Sequence, residues 1–346
     1  MGNLLKCCCC QTKEDIISEL PDEILLHILS YLPAKDILKT FALSTRWKSL
    51  RYSILYFDFH AYYCDPTVSL DRAGELNRGL GFSDCISLGS FHDMVQALPD
   101  NSIIAKFCFR CPLLPNNEST LQSLLCHAAR HKIEDMEFDF DYFDDDPYEP
   151  LMSLPPSLLN SDSLTSLKLT MATDVMFESP PNSIWLPRLK TLHIEWFEDW
   201  EQLILSGSCP VLEELILRCR GLNDDIFNDD YIDISIVSAA IKRLTIECSF
   251  MSEDSHTSLK VDCSNIQSLN ISNWSGCGDI QVCDLYSLAE ADIDIDCTPY
   301  YKSPLFWKSP DFWKPRNITS PPVLELLGSI RHVKSLKLSS STVKVC

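Results

Sequence analysis

The side chains best suited to chemistry gather at three places in this sequence. Cys108 and Cys111 form a C-x-x-C, the spacing of half a zinc site. No second pair stands at zinc-finger distance, so no metal site is expected. Nine acids lie between Glu134 and Glu149. They lack the regular oxygen spacing and turn glycine that calcium needs, and they read as a solvated charge run. Gly2 precedes Cys7, Cys8, Cys9 and Cys10. An N-terminal glycine can take myristate and nearby thiols can take palmitate, although Lys6 stands where myristoylation wants Ser or Thr. Two acyl chains would anchor stably where one would not. These five residues are therefore the lipidation candidates, on a leader (1–15) otherwise expected to be disordered.

None of the usual catalytic frameworks is present. There is no P-loop, dinucleotide fingerprint, H-E-x-x-H helix or G-x-S-x-G elbow. Neither enzymatic activity nor a cofactor is expected. The 346 residues carry a formal charge of −20, a field that repels phosphate backbones and disfavours nucleic acid. With 45 % hydrophobic residues the chain can build a core, yet no apolar run approaches the roughly 18 residues of a spanning helix. Seventeen cysteines without a secretory signal point to a reducing compartment, cytoplasmic and/or nuclear, with a membrane-anchored pool if the leader is acylated.

The elements that would position any site fall into two groups. Residues 16–53 read as three short helices. Pro21 suits the first helical position, and Asp22 and Glu23 complement the dipole of the first turn. Ile24, Leu25, Ile28, Leu29 and Leu32 make one broad apolar face. Pro33 ends this helix, a second runs Ala34 to Leu43, and a third from Ser44 to about Tyr52 carries Arg46, Trp47 and Leu50. So small a helical piece cannot bury its own apolar surface and must dock on something else.

Behind it, the pattern apolar-x-x-apolar-x-apolar recurs nine times. It begins at Ile104, Ile133, Leu164, Leu189, Leu212, Ile241, Ile266, Leu288 and Val333, with steps of 29, 31, 25, 23, 29, 25, 22 and 45 residues. The period is that of a leucine-rich-repeat solenoid, each copy supplying one strand to a parallel concave sheet. Convex segments such as Trp200 to Leu205 are expected to be helical. The long final gap holds Pro-x-Phe-Trp-Lys twice. Trp307 and Trp313 there mark a loop (299–320) that either recognises a partner or caps the coil.

The run L-P-D-E-I-L-L-H-I-L-S-Y-L-P-A-K-D-I-L-K-T-F-A-L-S-T-R-W-K-S-L, from Leu20 to Leu50, resembles an F-box. The phrases P-R-L-K-T-L-H-I, C-P-V-L-E-E-L-I-L and S-L-T-S-L-K-L resemble the repeats of plant F-box/leucine-rich-repeat proteins. The fold expected is α+β / α/β repeat, a three-helix F-box (16–53) followed by a leucine-rich-repeat solenoid with a parallel concave sheet (54–346). The sequence stops at Cys346, just after a strand pattern, where related proteins continue into an FBD domain. An FBD-associated type in which either that domain is absent or the product is truncated, with an open sheet edge, is the expectation.

The resemblance implies that a Skp-type adaptor, and through it a cullin, docks on Leu20, Pro21, Ile24, Leu25, Ile28, Leu29, Leu32, Pro33, Leu38, Leu43 and Trp47. Some of these must instead hold the helices together. The repeats would hold an unknown protein substrate on the outward strand positions. Those singled out are Lys106, Arg110, Glu137, Asp139, Lys168, His193, Glu195, Arg218, Arg243, Glu247, Asn270, Asp292 and Asp294. The implied function is substrate recognition in an SCF-type cullin–RING ubiquitin ligase. The alternatives are an adaptor-binding decoy and a lipid-anchored repeat scaffold.

Overall fold

The computed structural model describes residues 17–32, 34–40, 42–50, 56–60, 88–112, 118–141, 151–152, 154–171, 176–177, 184–195, 208–220, 231–249, 256–275, 280–283, 285–296 and 322–345. Three helices open the chain: α1 (Asp22–Leu29), α2 (Ala34–Thr40) and α3 (Thr45–Leu50). Pro21 is the N-cap of α1 rather than its first helical residue, and its carbonyl accepts the amide of Leu25 at 3.1 Å. Among the described residues four more helices follow: α4 (Leu88–Gln96), α5 (Glu118–Ala128), α6 (Pro322–Ser329) and α7 (Ser340–Val345).

The strands, in chain order, begin with β1 (Tyr56–His60), β2 (Ile103–Pro112), β3 (Lys132–Asp141), β4 (Leu151–Met152) and β5 (Ser166–Met171). They continue with β6 (Met176–Phe177), β7 (Thr191–Glu195), β8 (Glu214–Arg220), β9 (Tyr231–Val237) and β10 (Arg243–Ser249). The last are β11 (His256–Asp262), β12 (Ser268–Ser275), β13 (Ile280–Cys283), β14 (Glu290–Asp296) and β15 (Ser335–Leu338).

Ten of these strands form one sheet in the order β1-β2-β3-β5-β7-β8-β10-β12-β14-β15, every neighbouring pair parallel. Each of the nine sequence patterns supplies one strand, β2 through β15. The tenth, β1, was not expected; the alternation Tyr56-Phe57-Asp58-Phe59-His60 is its only sequence signal. Parallel register stacks the same repeat position strand upon strand. One inward column runs Phe57, Phe107, Met136, Leu167, Leu192, Leu215, Leu244, Leu269 and Ala291, all buried. A second runs from Phe59 through Phe109 and Phe138 to Ile293. Each such side chain contributes about 1.5–3 kcal/mol relative to exposure.

At the first end the core is aromatic. Phe59 stacks on Phe91 of α4 at 4.5 Å between ring centroids and on Phe109 at 5.0 Å. At the other end Leu336 departs from the inward pattern and is 45 % exposed. Strand β15 has β14 on one side and, among the described residues, no strand on the other to cover it.

The opposite side of the coil corrects one expectation. Between β8 and β14 the return segments are strands: β9, β11 and β13 form a second parallel sheet in the order β13-β11-β9. Alternating Ile234 and Ile236, then Leu259 and Val261, bury against the same core as the main sheet. Such β-branched alternation favours strand over helix. Trp200 to Leu205 lie outside the described residues.

Candidate protein-interaction surfaces

The first surface is the outer side of α1. The helices pack on a core of Leu25, Leu29, Ile37, Trp47 and Leu50, all buried. Three residues expected to touch an adaptor, Leu25, Leu29 and Trp47, are thus internal. Their apolar faces are spent on holding α1 to α2 and α3. Leu20 and Leu32 are partly buried against the same core. What remains outside is Pro21, Ile24, Ile28 and Leu43, joined by Ile17 and Tyr31, which the motif did not single out. Ile24 (45 % exposed), Ile28 (38 %) and Tyr31 (75 %) stand at i, i+4 and i+7 and make one apolar ridge. Pro33 and the side chain of Leu38 lie outside what is described.

Arg46 of α3 fixes the ridge in place. Its Nε donates to Asp22 Oδ1 at 2.9 Å, and its Nη2 donates to the same carboxylate and to the Leu20 carbonyl. The guanidinium thereby bonds the Asp22 carboxylate and the carbonyl of Leu20 just before α1, and ties the ends of the motif together. His27 and Tyr31 meet edge to face at 5.0 Å, which orients the Tyr31 ring at the end of the ridge.

The second surface is the outward face of the ten-stranded sheet. Its charged residues meet across strands, and most of them are paired. Lys168 and Arg110 each donate to Glu137 Oε1 at 2.9 Å, and Lys106 lies 3.8 Å from Oε2. Lys106 also faces Asp135 at 3.7 Å, and Arg110 faces Asp139 at 3.8 Å. Burial alone would raise the Glu137 carboxyl, but the hydrogen bonds and charges of Lys168 and Arg110 outweigh it and hold it at about 2. Further along, Arg218 pairs with Glu247 at 3.0 Å, Arg243 with Glu214 at 3.2 Å and Lys337 with Asp292 at 3.4 Å.

Two of the expected contact positions are corrected. Glu137 and Glu195 are buried, Glu195 to 3 % exposure and in register with Arg218, so neither stands free on the face. Parallel register sets Lys168 directly opposite Glu137 and Arg218 directly opposite Glu195. His193 lies beside Lys168 in register; burial, then the Arg218 and Lys168 charges, bring its pKa down to about 4. Asn270 is half-buried between Thr245 and Asp292 in register. Asp294 accepts a hydrogen bond from Ser341 at 3.0 Å. Cys108 and Cys111 are both buried. Trp307, Trp313, Gly2 and Cys7 to Cys10 lie outside the described residues.

A helical module with an exposed aliphatic ridge, followed by a parallel repeat coil with a charged outer face, defines the class as a helical module on a parallel β-solenoid. The F-box-like family profile matches residues 17–60, from the turn before α1 through β1. An F-box/LRR-repeat protein of Arabidopsis thaliana is 29 % identical over 291 residues, covering 83 % of this chain and 69 % of that one. A second is 28 % identical over 345 residues, covering 96 % and 63 %. An F-box/FBD/LRR-repeat protein of the same plant is 29 % identical over 247 residues, covering 70 % and 43 %. Over most of its length the chain is similar to plant F-box/LRR-repeat proteins. It spans 43 % to 69 % of the length of these three relatives.

Proposed function

We propose that this chain is a substrate-recognition subunit of an SCF-type cullin–RING ubiquitin ligase. Residues 16–53 would dock a Skp-type adaptor and the repeats would hold a target protein. The observation that carries the reading is the ridge of Ile24, Ile28 and Tyr31, exposed within the F-box match while Leu25, Leu29 and Trp47 support it from beneath. Aliphatic and aromatic anchors at i, i+4 and i+7 suit a helix-in-groove interface.

The mechanism on this reading is proximity. The chain raises the effective concentration of a target lysine near a charged ubiquitin-conjugating enzyme, and none of its side chains takes part in bond making. The subunit would work in the cytoplasm or the nucleus. Because most charges on the outward face of the sheet are paired, a target must bring its own complementary groups and exchange them for existing ion pairs. That favours specificity over raw affinity.

The test is co-purification of a Skp-type adaptor with the wild type and with Ile24→Asp/Ile28→Asp. Capture by the wild type and loss in the variant, with far-UV circular dichroism unchanged, supports the reading. A folded wild type that never captures the adaptor overturns it.

A further inference from the structure

We propose that Ser341 is a phosphorylation site whose modification unlatches α7 from β14. Strand β15 pairs with β14 only as far as Ile293. Beyond that point the β14 edge is closed by hydroxyl groups of the Ser339 to Thr342 run. Ser339 donates its amide to the Ile293 carbonyl at 3.1 Å. The Thr342 hydroxyl accepts the Ile295 amide at 2.8 Å and shares its proton between the Ile293 and Ile295 carbonyls at 3.2 and 3.3 Å. Thr342 is fully buried and stands where the next residue of a longer β15 would stand. The Ser339 hydroxyl caps the helix by accepting the Thr342 amide at 3.2 Å.

The latch rests on an acidic strand. Glu290, Asp292 and Asp294 alternate along β14 and so share its outward face. Lys337 serves Asp292 at 3.4 Å, and Ser341 donates to Asp294 Oδ1 at 3.0 Å. Ser341 is half-buried on the first turn of α7, within reach of local opening. In the modification a protein kinase passes the γ-phosphoryl group of a nucleoside triphosphate to Ser341 Oγ. The hydroxyl proton leaves to the kinase's base and the nucleoside diphosphate departs. The donor facing Asp294 becomes a dianion, and an attraction becomes a repulsion at hydrogen-bond distance. The phosphate would sit near the N-terminus of α7, but a six-residue helix has too short a dipole to offset a carboxylate in contact. Release of α7 frees the Ile295 backbone and adds Asp294 to the open acidic row.

The test is hydrogen exchange on the full chain as wild type, Ser341→Ala, Ser341→Glu, Ser341→Glu/Asp294→Asn, and with phosphoserine encoded at 341. Exchange at the Ile295 amide should rise about tenfold or more with Glu and with phosphoserine, and less than about threefold with Ala. The Asp294→Asn change should restore most of the protection. Equal effects of Ala and Glu, no restoration by Asp294→Asn, or an equal rise in β2 and β3 overturns the latch. A chain isolated from its native cells under phosphatase inhibitors should carry phosphate at Ser341; its complete absence there overturns the modification.

Discussion

Replacing Glu137 by Gln should destabilise the first half of the coil in a pH-dependent way. The carboxyl falls from 4.5 to about 2 on folding. At about 1.4 kcal/mol per unit, that is about 3 kcal/mol of stabilisation linked to its charge. The Glu137 side chain is only 11 % exposed, but Lys106 and Lys168 are 44 % and 36 % exposed, and their wetting trims the figure to about 2 kcal/mol. Asp135 and Asp139 can still serve Lys106 and Arg110 in the variant, whereas Lys168 loses its carboxylate. The folded-state pKa lies below the unfolded one. This stability is therefore fully present above about pH 4.5 and is lost as the pH falls towards 2. Urea unfolding followed by circular dichroism at pH 7, 5 and 3 reads the effect. Wild type and Glu137→Gln should differ at pH 7 and 5, and the gap should shrink to about half or less at pH 3. No difference at pH 7, or a gap that persists unchanged into acid, would refute the reasoning.

Ile24→Asp/Ile28→Asp should weaken adaptor binding by about 100-fold or more without unfolding the module; Leu25→Ala should cost about 2–5 kcal/mol of stability instead, and titration calorimetry alongside thermal melts separates the two. Phe59→Ala should cost about 3–5 kcal/mol, because the ring stacks on both Phe91 and Phe109 in a core without slack, and a lowered urea midpoint with loosened α4 exchange would show it. The His193 imidazole should stay neutral from pH 8 down to 5 and titrate near 4 by NMR. With its folded pKa below the unfolded value of 6.5, the stability it contributes is lost as pH falls from 6.5 to 4.

The strands of the main sheet were legible because their signal is local. A two-residue period repeated at a leucine-rich-repeat spacing needs no knowledge of neighbours, and nine patterns became nine strands. Strand β1 escaped because it precedes the first full pattern and has no flanking repeat to set its phase. The strands β9, β11 and β13 escaped because apolar alternation between two core strands does not say which side of the coil it serves.

Within α1 the motif marks a set of aliphatic residues, and their spacing places them on one broad stripe. Which of them face inward depends on where α2 and α3 pack. That geometry, pinned by Arg46 reaching back 24 residues to Asp22, buries Leu25 and Leu29 and leaves Ile24 and Ile28 outside. The outward strand positions were likewise countable from alternation. That three cations converge on Glu137, and that Thr342 closes the edge of β14 from 47 residues away, could not be counted. The sequence by itself determined the parallel coil and the alternation of core and surface, since both follow from periods short enough to read along the chain. Tertiary structure alone decided which charges neutralise one another and which apolar side chains remain to meet a partner, since both depend on register between segments far apart in sequence.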